Sequence, residues 1–231
     1  DADFFKGIKD SVEGVTNPVE RKWLELDIAA LPNSATAMTQ HGPVTGFRRR
    51  HMGLLRKDLP QPVDTWYGIR FAPQPERFRP PEPLPDNFTH NPTARKHGPM
   101  CIQLSLLETK VVGSEDCLFI DIESPAGAKD LPVFLWIYGG GYVSGDSWEF
   151  GVYNSAALAS QRNVVVAKLN YRLGALGFWA SDYLRDTDPR STTGNQALLD
   201  QRMAMQWVQD NIAAFGGDPK RVTIAGESAG A

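Results

Sequence analysis

Along the second half of the chain, continuous apolar runs alternate with amphipathic ones. Leu118–Glu123, Val133–Tyr138 and Val164–Leu169 are short and rich in β-branched and aromatic residues. The last two are apolar at consecutive positions, as strands covered on both faces are. Asn154–Gln161 follows a glycine-rich stretch and reads as a short helix, while Asn195–Phe215 carries Ala204, Val208, Ile212 and Phe215 at spacings of four, four and three. That spacing is one stripe of an amphipathic helix. Gly216-Gly217 ends it, Asp218-Pro219 turns the chain, and Arg221–Ala225 is the next strand. Strand, helix, strand, helix, strand with short links predicts right-handed crossovers and a parallel sheet whose functional edge lies at the carboxyl ends of its strands.

The first half has a different texture. From Leu24 to Arg70, short apolar stretches are broken by Gly42-Pro43, Gly46 and Gly53, and Thr39–Phe47 reads as a hairpin within a small β layer. Prolines at 73, 75, 80, 81, 83 and 85 then exclude regular helix and predict an extended surface wrap over Phe71–Pro85. No internal repeat is visible.

Composition narrows the function classes. With 231 residues and 42% hydrophobic content the chain can bury a sizeable core. A formal charge of −3 gives no electrostatic reason to expect nucleic acid. The one basic cluster, Arg48-Arg49-Arg50-His51 with Arg56 and Lys57, reads as a solvated connection. No window is apolar enough for a membrane helix, and Asp1-Ala2-Asp3-Phe4-Phe5 has neither an initiator Met nor a signal-peptide layout, so it marks a processed end or a fragment edge. Cys101 and Cys117 fit neither a zinc site nor a redox pair, leaving a disulfide or two buried thiols. A bridge closing a loop of about 15 residues stabilises by roughly 3 kcal/mol and belongs to an oxidising compartment. Asn87-Phe88-Thr89 is a glycosylation sequon beside Pro-rich chain. Together these point to a secreted or luminal location.

The candidate chemistry sits in Val222-Thr-Ile-Ala-Gly-Glu-Ser-Ala-Gly-Ala231, a β-branched run that breaks into Gly226-Glu227-Ser228-Ala229-Gly230. In G-x-S-x-G a strand turns sharply, and small residues beside the serine permit the strained turn that lifts its Oγ into the open. Ser228 is the candidate nucleophile. Acyl transfer also needs a base, a group to orient it, and donors for the oxyanion. Tyr138-Gly139-Gly140-Gly141 directly follows a strand, where backbone N–H groups can turn toward a substrate oxygen, and the Ala229 N–H is a further donor. The glycine run is not a phosphate loop, since no Lys-Ser/Thr follows it and no G-x-G-x-x-G register exists. Neither a cofactor nor a metal is implied.

These segments resemble the N-terminal part of the type-B carboxylesterase/lipase family, the α/β-hydrolases that include cholinesterases. The resemblance rests on Tyr67-Gly-Ile-Arg-Phe-Ala-Pro-Gln-Pro, Ser114-Glu-Asp-Cys-Leu-Phe-Ile, Pro132-Val-Phe-Leu-Trp-Ile-Tyr-Gly-Gly-Gly, Asn170-Tyr-Arg-Leu-Gly, and Gly194-Asn-Gln-Ala-Leu-Leu-Asp-Gln, running on through Phe215-Gly-Gly-Asp-Pro to the elbow. It spans about residue 40 to the end. It implies an α/β-hydrolase fold with a mostly parallel central sheet flanked by helices and an N-terminal antiparallel β layer. It also implies that residues 1–231 are the N-terminal portion of one such domain. Carried over by position, it makes Ser228 the acyl-accepting nucleophile, makes Gly140, Gly141 and Ala229 the oxyanion donors, and pairs Cys101 with Cys117. Glu115, Asp116, Arg172 and Asp200 become buried ion-pair and hydrogen-bond scaffolding. The implied partner is a small carboxylic ester.

Two departures stand out. The family usually has His where Tyr138 stands, and tyrosine can still pack and donate a hydrogen bond there. In cholinesterases the loop between the first two cysteines carries a choline-binding tryptophan, whereas Ile102–Asp116 has no aromatic residue. A cholinesterase is not expected, and Trp136, Trp148, Trp179 and Trp207 read as core or gorge lining. In the family the triad acid and histidine follow the serine. His41, His51, His90 and His97 all precede it and read as surface residues. The chain is therefore expected to be an N-terminal fragment that needs the C-terminal remainder of the domain, folds poorly and does not turn over esters alone. A relative without catalysis, used for adhesion or binding, is the alternative.

Overall fold

The computed structural model describes residues 31–52, 57–105 and 110–231. Strands β1 (Asn33–Thr39), β2 (Gly42–Met52) and β3 (Lys57–Arg70) pair antiparallel in chain order. Thr39 faces Gly42 across the first turn, where Gly42 holds a φ of 98°. The expected hairpin over Thr39–Phe47 thus has its first arm before Thr39. The expected β layer begins within the described residues only at Asn33, so its reading over residues 24–30 lies outside them, as does Arg56. A separate ribbon pairs β4 (Gln103–Leu104) with β5 (Val111–Val112).

The later elements are β6 (Phe119–Pro125), β7 (Leu131–Ile137), helix α1 (Ala156–Arg162), β8 (Val165–Leu169), α2 (Gly174–Phe178), α3 (Asp182–Thr187), α4 (Gln196–Asn211) and β9 (Gly217–Gly226). Residues Asn33–Ala231 form one compact unit. Among the described residues one mixed sheet runs β1-β2-β3-β6-β8-β7-β9. β6 joins its halves, antiparallel to both β3 and β8, so the antiparallel layer continues directly into the parallel trio β8-β7-β9. Gly217 pairs with Leu131 and Val222 with Val133, so the Asp218-Pro219 turn is looped out within β9.

The helical stripe behaves as its spacing predicts: Ala204, Val208, Ile212 and Phe215 are all buried. They pack with Val133, Leu135 and Ile137 of β7 and with Val165, Ala167 and Leu169 of β8. Each Val, Leu, Ile and Phe among them contributes roughly 1.5–3 kcal/mol when fully withdrawn from water. The helix passes into a 3₁₀ turn at Ile212–Phe215, and Gly216, at φ 84°, closes it. The opposite face of the sheet carries a smaller cluster of Leu59, Val63, Ala156, Ala159 and Val166 against Phe134. α2 and α3 have no counterpart in the apolar pattern. For α3 a signal exists, because the Ser181 hydroxyl accepts the Leu184 N–H at 3.2 Å and caps the helix.

Charged residues penetrate the sheet around Glu123. Glu123 of β6 accepts hydrogen bonds from Arg49 of β2, from Lys168 of β8 at 3.3 Å and from the Ser155 N–H at 2.8 Å. The Lys168 and Glu123 side chains are fully buried. Burial works against the Glu123 carboxylate, yet the two cations and the Ser155 amide hold its pKa below the ordinary value. Asp121, two residues back and also buried, behaves likewise, with His97 at 2.6 Å and Lys168 opposing the desolvation. Breaking such a pair from one side leaves an uncompensated buried charge and typically costs 3–5 kcal/mol. Arg49 is therefore no part of a solvated connection, while Arg48 is half-exposed and bonded to Asp64 at 2.7 Å.

Other expectations divide. Arg172 and Asp200 form the buried pair expected of them, with guanidinium bonds of 2.8 and 2.7 Å. Glu115 and Asp116 do not: they meet Arg77 and Arg70 near the surface, because both lie in the irregular segment before β6. Trp207 is core, but Trp179 is 55% exposed, and Trp148 lies against His97. Phe71–Pro85 has no regular structure, as its prolines require.

The histidines were expected at the surface, and His90 is buried beside His41 and Phe88. Burial, followed by the neighbouring His41 and Arg70, pushes its pKa down to about 4. The folded protein holds His90 neutral while the unfolded chain binds a proton near pH 6.5. Stability present above that pH is accordingly lost as pH falls toward 4. Urea midpoints measured across this window should fall, and His90→Phe should flatten the fall.

Candidate functional site

Strand β9 delivers its last residue to an abrupt turn. Glu227 is extended at φ −126° and ψ 140°, and Ser228 swings to φ 53°. A non-glycine residue in the left-handed region stores of order 1–2 kcal/mol. The Gly230 N–H donates to the Glu227 carbonyl at 2.8 Å, and Ala231 N–H to the Ser228 carbonyl at 3.1 Å, which closes the turn. Glu227 and Ser228 are exposed. Sterics explain the flanking glycines: a Cβ on Gly226 would collide with the Gly230 carbonyl, and one on Gly230 with the Ile137 and Tyr138 carbonyls. The turn folds on itself and lies against the carboxyl end of β7.

The glycine run leaves that same end. A Cβ on Gly139 would stand 2.5 Å from the Glu227 carbonyl oxygen and 3.0 Å from the Ser228 Cβ, so loop and elbow touch backbone to backbone. Gly140 and Gly141 hold φ of 105° and 62°, and the Gly140 carbonyl accepts the Val143 and Ser144 N–H groups, both at 3.1 Å. The Gly140 and Gly141 amides donate to no acceptor among the described residues. Tyr142, at φ 63°, is fixed by the Gly174 N–H, which donates to its carbonyl at 2.7 Å.

Beneath the loop, Tyr138 and Tyr171 form a crossed brace. Their rings stack at 4.4 Å, and each hydroxyl donates to the other's carbonyl at 2.8 Å. Tyr138 thus both packs and donates where histidine is usual, tying the end of β7 to the segment after β8. Burial raises the Tyr138 phenol well above its ordinary value, so it stays a donor throughout the physiological range.

The disulfide joins Cys101 to Cys117 in the structure. The histidines are engaged elsewhere: His97 Nδ1 meets Asp121 Oδ2 at 2.6 Å with its ring stacked on Tyr67, and His90 packs with Phe88. His51's side chain lies outside the described residues. No hydrogen bond joins Ser228 to a histidine among those described. Among them, too, no cluster of His, Cys, Asp or Glu could hold a metal ion, and no helix is long and apolar enough to cross a membrane.

Residues 33–231 match the model of the carboxylesterase family. Fumonisin B1 esterase of Sphingopyxis macrogoltabida is 46% identical over 177 residues, which cover 73% of this chain and 32% of that protein. Acetylcholinesterase of Electrophorus electricus is 40% identical over 232 residues, covering 90% and 34%. A solved PNB esterase superposes with a TM-score of 0.70 at 39% identity, covering 84% of this chain and 38% of the other. The chain spans about a third of the length of the curated relatives it matches.

Because the elbow and β7 leave no space for a side chain, Gly230→Ala should lower stability by at least about 2 kcal/mol. Denaturant unfolding measures the loss, and an unchanged midpoint would contradict the packing described.

Proposed function

The chain belongs to the carboxylesterase family, and on that premise we propose that it supplies the nucleophile and oxyanion hole of a serine carboxylic-ester hydrolase. Its fold is that of an α/β-hydrolase. The observation that carries the reading is Ser228, exposed at φ 53° with the glycine loop packed against it. Ser228 Oγ attacks the ester carbonyl carbon while a base takes its proton. The developing oxyanion sits on the Gly140, Gly141 and Ala229 amides. Collapse breaks the bond to the alcohol, which leaves with the proton, and water then releases the acid by the same route. Loss of one such donor typically costs about 3 kcal/mol of transition-state stabilisation.

No described histidine is hydrogen-bonded to Ser228, and His97 is held by Asp121, so we assign the base and its orienting acid to residues C-terminal to the elbow. The substrate is a small carboxylic ester, with no cofactor. An intact serine favours hydrolysis over a purely adhesive or binding role. We further propose a secreted or luminal site of action, supported by the Cys101–Cys117 disulfide and by the exposure of Asn87 in its sequon.

Two measurements test these readings. A fluorophosphonate probe should label the full-length protein and not its Ser228→Ala variant, and equal labelling of both would sink the nucleophile assignment. Enzymatic deglycosylation of the secreted protein should reduce its mass, with no such reduction in Asn87→Gln. A parent mass that does not change would remove the glycan.

A further inference from the structure

The disulfide segment reaches the glycine loop through one side chain. Gln103 Oε1 accepts the Gly145 N–H at 2.8 Å, and Gln103 Nε2 donates to the Gly145 carbonyl at 2.9 Å and to the Cys101 carbonyl at 3.1 Å. A carboxamide that binds both polar groups of one residue fixes the peptide planes on either side of its Cα. Gly145 needs such fixing, since at φ 108° it occupies a region that only glycine visits freely. It also stands where its position matters. A Cβ there would lie 2.6 Å from the Tyr138 ring and 2.7 Å from the Gly139 carbonyl oxygen, and Gly139 in turn abuts Ser228. A continuous line of contact therefore runs from Gln103 through Gly145 and Gly139 to the nucleophile.

Gln103 is itself held. β4 pairs with β5, the Ser114 N–H donates to the Met100 carbonyl at 2.9 Å, and the disulfide from Cys101 closes the segment onto Cys117 beside β6. We propose that Gln103 is a positioning residue for the oxyanion hole: it locks the far end of the glycine loop to the disulfide-closed segment, so that the Gly140 and Gly141 amides stand ready before substrate arrives. It touches no reacting atom. The inference rests on the reading of Ser228 and the glycine loop as an esterase site.

The test uses the full-length protein, with Gln103→Leu and the isosteric Gln103→Glu, which keeps the acceptor and loses both donated bonds. Displacing preorganised groups by a fraction of an ångström to an ångström typically costs up to about 100-fold in rate. Gln103→Leu should therefore slow fluorophosphonate labelling of Ser228, and lower kcat on a p-nitrophenyl ester, by about 10- to 100-fold, with KM little changed and the melting transition still cooperative. Gln103→Glu should be impaired at neutral pH. Relative to the parent at each pH, it should recover as pH falls from about 7.5 toward the ordinary glutamate range of about 4.3, where protonation restores a donor.

Labelling of Gln103→Leu at the parent rate, or a flat Gln103→Glu ratio, overturns the positioning role. Should Gln103→Leu fail to fold, the Gln103→Glu ratio decides. If parent and Ser228→Ala label alike, the esterase reading fails, and this one with it. Labelling confined to the parent serine but indifferent to Gln103 overturns this inference alone.

Discussion

At the carboxyl ends of β7 and β9 three stretches of main chain come so close that no side chain fits between them. Gly139 faces Glu227 and Ser228, Gly145 faces Tyr138 and Gly139, and Gly230 faces Ile137 and Tyr138. Everything else about the site follows from that proximity. Loop amides can approach the serine only if the walls are bare backbone, and bare backbone must be immobilised from outside, because glycine loses more freedom on ordering than any other residue. The Tyr138–Tyr171 brace, the Gly174 bond to Tyr142 and the Gln103 clamp supply that immobilisation from three directions.

The sheet beneath is held in register by a second, electrostatic constraint. Glu123 reaches Arg49 on one side and Lys168 on the other, while its third partner, the Ser155 amide, lies just ahead of α1. A single carboxylate thus joins β2, β6, β8 and the approach to α1. A one-residue slip of β6 would turn Glu123 to the opposite face and leave two cations in the interior. Register in this part of the sheet is specified by charge as well as by apolar pattern.

What could be read from the sequence is what local chemistry dictates. The stripe of Ala204, Val208, Ile212 and Phe215 belongs to one helix, and its burial follows from period alone. The elbow glycines announce themselves because their requirement is steric and lies within a few residues. What could not be read depends on partners far along the chain. Arg49 and Glu123 are 74 positions apart, so three consecutive arginines look solvated until β6 is placed opposite. The antiparallel seat of β6 between β3 and β8, and the burial of His90, are likewise set by contacts that no short window contains. Lys168, standing alone in the apolar run Val164–Leu169, was the one local sign that a buried carboxylate awaited it.

The bare-backbone centre has a consequence for how such a site can diversify. Positions 139, 145, 226 and 230 admit no atoms beyond glycine, so substitution there removes the site rather than retunes it. Tyr142 and Val143, one and two positions beyond the last glycine of the run, carry exposed side chains. Substitution is thus channelled outward: a steric centre that accepts no side chain is bordered by exposed positions where side chains have room to change.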